Sequence, residues 1–543
     1  MDSIRAQLEA VCAQGLFRAV SPSNVLTGFG EAFETEVVGT AVANAQLVPS
    51  TLRPVQDVSK QVERVDVFVS HSWSSSRWAK YLGLCIFWNL RAAVVSSFAV
   101  YATVILALLA ASDAGDYGSS SSLAPPLIIV PMAVFIIVLL FGQDLRRHFF
   151  QPPTVWLDRL CVDQTDMNLK VKAILSLPVF VAHARQMLVL WDDTLFERLW
   201  CNMELATFAR TSSHSVTRLT MQPLWLTQWL LLSVVTHLAA GLFLNVLLST
   251  QVAHIWQPVA ELDGWIKQRF GPTSSTTLFL IWARQAFVFG AGFVPQALTG
   301  WYCLRQKLEN HRRMLSDMAN FDVKDAKCTE ESDRALIEKI VQEVFESEME
   351  NSDAGTASLQ VGWGLPFGAD LIQSPSSLER TSLITLHEET TEDFSGGLER
   401  FNAYVRGPLR EAVMETLGDE VHVPLHLCIV ASLPMWFVAA VDVLSCENFR
   451  CADVQKLEGF EDLTPYLLSN ALSWFYFNAV LYPTVFPLLL RILRYLRRVD
   501  RPTWQQIPLE LAGTLVAFAH VFACNACIFA SELYLGIVQC SRD

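Results

Sequence analysis

The sequence predicts a multipass α-helical membrane protein of about seven spans that also carries a cytosolic parallel-sheet α/β domain. Three observations predict it: seven apolar blocks, a run of strands alternating with helices, and basic residues that gather at one set of span ends. Of 543 residues, 52 % are hydrophobic and 17 % charged. An ordinary soluble domain is about 45–50 % apolar and about a quarter charged. The excess apolarity sits in blocks, and a bilayer core takes about 20 apolar residues to cross. The blocks cover 92–111, 123–142, 224–248, 278–303, 423–444, 466–490 and 507–530.

Taken in order, residues 1–64 form an N-terminal cytosolic segment. It opens with charges and no continuous apolar core, which excludes a secretory signal. Ile4, Leu8, Val11 and Phe17 suit the buried side of a short amphipathic helix. Residues 65–70 (VDVFVS) read as a buried strand that breaks at His71–Ser72–Trp73. Residues 74–89 form a crossover helix running into the first span. The first two spans make a hairpin that interrupts the sheet domain, yet both its ends return to one membrane face. The stretch 154–209 then reads strand, turn, helix, strand, helix. TVWLDRL is a buried strand; LKVKAILSLPVFVAHARQ is a helix with Leu169, Ile174, Leu177, Phe180 and Val181 on one side. MLVLWDD is a short strand ending at Asp192 and Asp193, and LFERLWCNMELATFA is a second helix. Strands alternating with helices at this spacing build a parallel sheet from βαβ units. SVTRLTMQPL leaves room for one more strand before the third span.

After the fourth span, FDVKDAKC followed by ESDRALIEKIVQEVF has strand-then-helix character. Within 304–350 it either completes the sheet with a fifth strand or packs on the domain as a separate helix. Residues 351–397 are rich in Ser, Thr, Gly and Glu and read as a linker. Residues 398–421 regain helical spacing, 422–531 hold the last three spans, and 532–543 are a non-cytosolic tail. Arg91, Arg146, Arg147, Arg305, Lys307, Arg312 and Arg313 flank the first four spans. Arg491, Arg494, Arg497, Arg498 and Arg501 fill the link between the last two. With seven spans all these flanks share one side, which the positive-inside rule makes the cytosol. The amino terminus is then cytosolic and the carboxyl terminus is not.

VDVFVSHSW resembles the opening strand and first loop of Toll/interleukin-1-receptor (TIR) domains. LWCNMEL (199–205) resembles the helix that carries the catalytic glutamate of TIR domains that cleave NAD. The two pieces occur in the family's order and cover roughly a quarter of the chain; WLDRLCVDQTD, at the family's second strand and loop, lacks its arginine–aspartate–x–x–proline–glycine pattern. The resemblance implies a flavodoxin-like sheet of order 2-1-3-4-5, homotypic contacts between such domains, and NAD as substrate with no further cofactor.

Such a sheet binds ligands outside the carboxyl ends of its strands, where the strand order reverses. That crevice takes the loop Ser70, His71, Ser72 and Trp73 together with Trp191, Asp192 and Asp193. Glu204 faces it from the following helix and is the expected catalytic residue. Breaking the nicotinamide–ribose bond develops positive charge on the ribose, which a carboxylate stabilises. Alone, Glu204 also reads as a solvated helix residue. Trp200, four residues earlier on the same face, is either a core residue or a ligand contact. His71 lies at the crevice mouth or caps a loop. Arg159 pairs with Asp158 or meets a cofactor phosphate. Asp192 binds a ribose hydroxyl or closes a helix N-terminus.

A net charge of −14 with no broad basic face excludes nucleic acid as a partner; the bilayer is the expected one. Cysteine spacing does not fit structural zinc. Cys446 and Cys451, in a non-cytosolic loop, are close enough for a disulfide. Arg284, Asp442 and Glu510 are ionisable residues inside spans and need partners or the interface. Three functions fit these features: a signalling protein that hydrolyses NAD, a docking module without chemistry, or a channel or transporter regulated by the cytosolic domain.

Overall fold

Among the described residues there are six strands: β1 (Arg18–Ala19), β2 (Lys60–Gln61), β3 (Val65–His71), β4 (Val155–Trp156), β5 (Ala184–Trp191) and β6 (Leu219–Pro223). The computed structural model describes residues 11–34, 55–111, 120–163, 167–211, 218–248, 293–328, 331–346, 396–445, 462–499 and 501–540, with isolated positions between 265 and 290. The chain divides into two units. One, 1–91 with 141–224 and 310–419, holds the sheet; the other, 92–140 with 225–309 and 420–543, holds the apolar helices.

The sheet is four-stranded and parallel, in the order β4-β3-β5-β6. By position in the chain that is second, first, third, fourth. Val65, Phe68 and Val69 of β3 and Met187 through Trp191 of β5 are buried, as central parallel strands covered on both faces require. The expected strand at 154–160 is cut to Val155–Trp156. Pro152 and Pro153 cannot donate to a ladder, and the chain turns into one helical turn, Asp158–Cys161. The free edge of β4 is closed by Val20, which bridges Val155 antiparallel.

The segment before β3 does more than the expected amphipathic helix. Phe17 stacks on Phe180 at 5.1 Å and 5°, and β1 pairs with β2 antiparallel. The helix Pro22–Gly30 then loses helical geometry at Thr27, and Gly28, Phe29 and Gly30 all take positive φ. Gly30 (φ 75°) lies so near Tyr81 that a Cβ there would come within 3.0 Å of it. This left-handed run swings Phe33 inward, where it is buried.

Helix α1 (Arg77–Ala111) is the crossover from β3 and continues without a break into the first apolar block. Its first turns, to Arg91, belong to the sheet-bearing unit. At Asn89 the carboxamide accepts from Gln143 at 2.8 Å, and a Cβ at Gly142 would come within 2.9 Å of Asn89. The two ends of the expected hairpin thus meet within this unit.

Helix α2 (Leu199–Thr211) follows β5. No fifth strand comes from 321–328. Asp322 caps the Lys324 amide and accepts from Asn402, so the segment is a turn. A single parallel bridge, Arg198 to Lys327, joins it to the chain before α2. Helix α3 (Glu331–Glu346) packs on α2 instead. The reason is composition: Asp322, Lys324, Asp325 and Lys327 suit a solvated turn better than a buried ladder.

Among the described residues, five helices are long and apolar enough to cross a membrane, and six if a bent pair is one span. The five are Arg77–Ala111, Ser122–Arg146, Leu224–Phe243, Leu463–Leu496 and Thr503–Asn525. The expected span at 423–444 is the bent pair, Leu425–Ala431 and Leu433–Ser445, broken by 53°. Much of the expected span at 278–303 lies outside the described residues, as do Arg284, Asp442's side chain, the loop with Cys446 and Cys451, the linker at 351–395, and Ile4 and Leu8. Helices of this length and apolarity are consistent with an integral membrane protein.

Candidate functional site

The carboxyl ends of β3 and β5 lie side by side, with Ser70 opposite Val189 and His71 opposite Leu190. The side chains beyond them form one polar cluster in the sheet-bearing unit. At its centre, Ser70 Oγ donates to Glu204 Oε2 at 2.6 Å. This bond joins the end of β3 to the first turns of α2. Cys201 Sγ donates to the His71 carbonyl at 3.4 Å and fixes the same helix to the same strand end. Cys201, Leu205 and Phe208 form a buried stripe of α2, and Glu204 lies beside that stripe, turned to Ser70.

Burial pushes the Glu204 carboxyl up to about 8; the Ser70 hydrogen bond opposes this, and the nearby Asp158 carboxyl adds to it. Glu204 is therefore mostly protonated at neutral pH. Its neighbour His71 is held neutral, well below its usual range, by burial and then by the Lys80 charge. Both ring nitrogens of His71 are buried without a hydrogen bond. Its Nε2 lies 3.8 Å from Asp158 Oδ1, which for a neutral ring is contact and not an ion pair.

Trp73 supplies the wall between these groups. Its indole N–H donates to Asp158 Oδ2 at 3.2 Å, and its ring meets His71 edge-on at 4.7 Å. Arg159 places its guanidinium 5.8 Å from the Trp73 ring and donates to the Glu34 carbonyl. So Asp158 turns to the first loop, and Arg159 to the N-terminal segment. Burial raises the Asp158 carboxyl, although 39 % of its side-chain surface stays open. Asp192 accepts from the Thr194 amide at 3.0 Å and from its hydroxyl at 2.9 Å, closing the turn that leads to Leu195–Glu197. Ser72 is fully buried and hydrogen-bonds Ser74 and Thr194. Trp200 shares the Glu204 face of α2 and is half-exposed, not a core residue. Asp193 turns away to Arg313 at 3.3 Å.

Two members of the cluster escape a reading of motifs. Lys80 is fully buried, and its Nζ has no hydrogen-bond partner. The ammonium lies 5.4 Å from the Trp73 ring and 5.6 Å from the Phe33 ring, a cation–π distance. Burial pulls this amine down to about 8, opposed chiefly by Asp192 and then Asp158. The signal was present: Lys80, Leu84 and Phe87 repeat at i, i+4 and i+7, which puts a lysine on the inward stripe of the helix. Phe33 is the second. It stands edge-on to His71 at 5.1 Å and roofs the cluster. Glu34 beside it pairs with Arg77 at 3.2 Å. Nothing in the composition of 31–34 marks it as a roof.

Chemically the cluster offers one isolated carboxyl, a neutral imidazole, a desolvated amine and two further carboxylates, all beside aromatic faces. No family model matches this chain, and neither does any curated protein or solved structure.

Proposed function

We propose that this chain is an integral membrane protein whose sheet-bearing unit is a TIR-like, flavodoxin-like domain that hydrolyses NAD at the nicotinamide–ribose bond, with Glu204 as the catalytic carboxyl. The observation that carries the proposal is the 2.6 Å bond from Ser70 to Glu204. It brings together the two motifs that resemble the family, VDVFVSHSW and LWCNMEL, although Ser70 and Glu204 are 134 positions apart with two apolar blocks between them. The strand order, second-first-third-fourth, also supports it. Seven spans, with the amino terminus in the cytosol and the carboxyl terminus opposite, complete the reading.

The chemistry follows from charge. Nicotinamide in NAD is a pyridinium, and a cation brought beside Glu204 favours the ionised carboxyl. Ionised Glu204 then stabilises the positive charge that develops on the ribose as the C1′–N bond breaks. The electron pair of that bond goes to nicotinamide, which leaves neutral. Water bonds to C1′ and releases a proton. Trp73 offers a ring face, and Asp158 and Asp192 offer acceptors for ribose hydroxyls. His71, held neutral, adds no competing charge.

The direct test is nicotinamide release from NAD by the full-length protein in detergent or nanodiscs. Glu204→Gln keeps size and one hydrogen-bonding oxygen for Ser70. It is expected to lower the rate about 10²–10³-fold, the usual loss for one preorganised electrostatic group. Wild-type protein that releases no nicotinamide overturns the proposal and leaves a docking module.

A further inference from the structure

A cavity of about 270 Å³ lies in the sheet-bearing unit, lined by Ser74, Thr194, Glu197, Arg198, Lys327 and Cys328. Sites that enclose a whole drug-sized ligand run about 300–1,000 Å³, so this one suits part of a larger molecule. It adjoins the cluster above through the hydroxyl chain of Ser72, Ser74 and Thr194. Its far wall comes from the segment before α3. That wall is fixed to the start of α2 by the Leu199 amide on the Lys327 carbonyl at 3.0 Å and by the Lys327 amide on the Glu197 carbonyl.

The charge of the lining decides what fits. Glu197 is its one carboxylate, and Lys327 at 2.7 Å and Arg313 at 3.3 Å both pair with it. Those partners, Lys327 foremost, hold Glu197 below the usual carboxylate range. Arg198 adds a guanidinium to the same lining, and Ser74 and Thr194 add two neutral hydroxyls. A guanidinium, an ammonium and hydroxyls around a small space are the donors that a phosphate group takes. Because Arg313 also pairs with Glu197, Lys327 can turn to an incoming anion without leaving that carboxylate unmatched.

We infer that this cavity receives a phosphate of a nucleotide, with Arg198 and Lys327 as its phosphate-binding side chains. The inference deepens the proposed function, since the reacting end of such a nucleotide then lies toward Glu204. Phosphate capture itself requires no cleavage.

Cys328 lines the cavity and is half-exposed, so its thiol reports occupancy. The experiment is the rate of maleimide modification at Cys328 in the full-length protein, resolved from other thiols by peptide mapping against Cys328→Ser. ADP-ribose, inorganic pyrophosphate and ribose are the probes. Saturating ADP-ribose is expected to slow modification about tenfold or more, pyrophosphate to slow it less, and ribose not at all. Arg198→Gln and Lys327→Gln are each expected to weaken ADP-ribose protection about tenfold, a typical loss for one charged hydrogen bond. Lys327 has 74 % of its side chain exposed, so its variant keeps the fold. An unchanged rate with both ADP-ribose and pyrophosphate overturns the inference, as does full protection in the double variant. Protection without nicotinamide release supports the phosphate site and removes only the cleavage reading. Release that depends on Glu204 without protection removes only the phosphate site.

Discussion

Each unit of this protein contains a glutamate set among buried groups, and the two are treated in opposite ways. Glu510, in the unit of apolar helices, is fully buried and surrounded by donors. Trp301 donates at 3.0 Å, Arg497 at 2.8 Å and Gln506 at 2.9 Å, with Arg305 at 3.6 Å. Arg497 is itself held by Glu309 at 3.0 Å. Glu204, in the sheet-bearing unit, has the Ser70 hydroxyl and a neighbouring carboxyl, Asp158. A buried charge without a partner is costly, and a compensated one is tolerated. Glu510 is thus built as a structural charge. In the proposed reaction Glu204 is the carboxyl that ionises when the cationic nicotinamide arrives.

The largest effect expected from this contrast is in the apolar unit. Arg497→Ala leaves Glu510 buried with its main cation gone, which costs about 3–5 kcal/mol for a broken buried pair. Thermal unfolding in detergent should show a large loss of folded protein. An unfolding midpoint like that of the wild type would erase the contrast. Lys80→Met comes next and has the opposite sign. It removes a buried amine that lacks a hydrogen bond and keeps an unbranched apolar side chain, so the sheet-bearing unit should gain about 1–3 kcal/mol. A loss of stability would mean that Asp158 and Asp192 pay for Lys80 in full. Ser70→Ala, smallest of the three, removes one neutral hydrogen bond and should cost about 1 kcal/mol.

The contrast also sets a pH dependence. The Glu204 carboxyl titrates near 4.5 when unfolded and near 8 when folded. Between those values the folded state binds the extra proton, so stability of the sheet-bearing unit falls as pH rises through that window. Glu204→Gln should remove this slope and be the more stable protein above about pH 8. Equal pH slopes for the two proteins would show that the carboxyl is not buried as described.

Much of this arrangement was legible in the residues. The parallel sheet followed from buried-strand runs alternating with helices, and β3 and β5 lie within a few residues of VDVFVS and MLVLWDD. The meeting of Ser70 with Glu204 followed from the sheet's topology. Local sequence did not reveal how β4 ends, because Pro152 and Pro153 limit one side and a helical turn the other. The segment 321–328 was mistaken in part for a strand because FDV has β propensity, while its capping by Asp322 and Asn402 depends on contacts 79 to 80 residues apart. Phe33 reaches His71 only through the left-handed run at Gly28–Gly30. Glu510 was expected to need partners or the interface; Gln506 lies one turn before it on the same helix, but Trp301, Arg305 and Arg497 come from elsewhere in the chain, and no pattern within one span announces them.

The most direct test of the central claim, that Glu204 is an uncompensated carboxyl placed for catalysis, is the pH dependence of kcat/KM for nicotinamide release by the full-length protein. This quantity reports the ionisation of the free enzyme. The account predicts kcat/KM that rises with pH and levels off above about 8, the value for Glu204, and a Glu204→Gln variant about 10²–10³-fold slower with no such rise. A profile that is flat or falls across this range, or a variant as fast as the wild type, contradicts it.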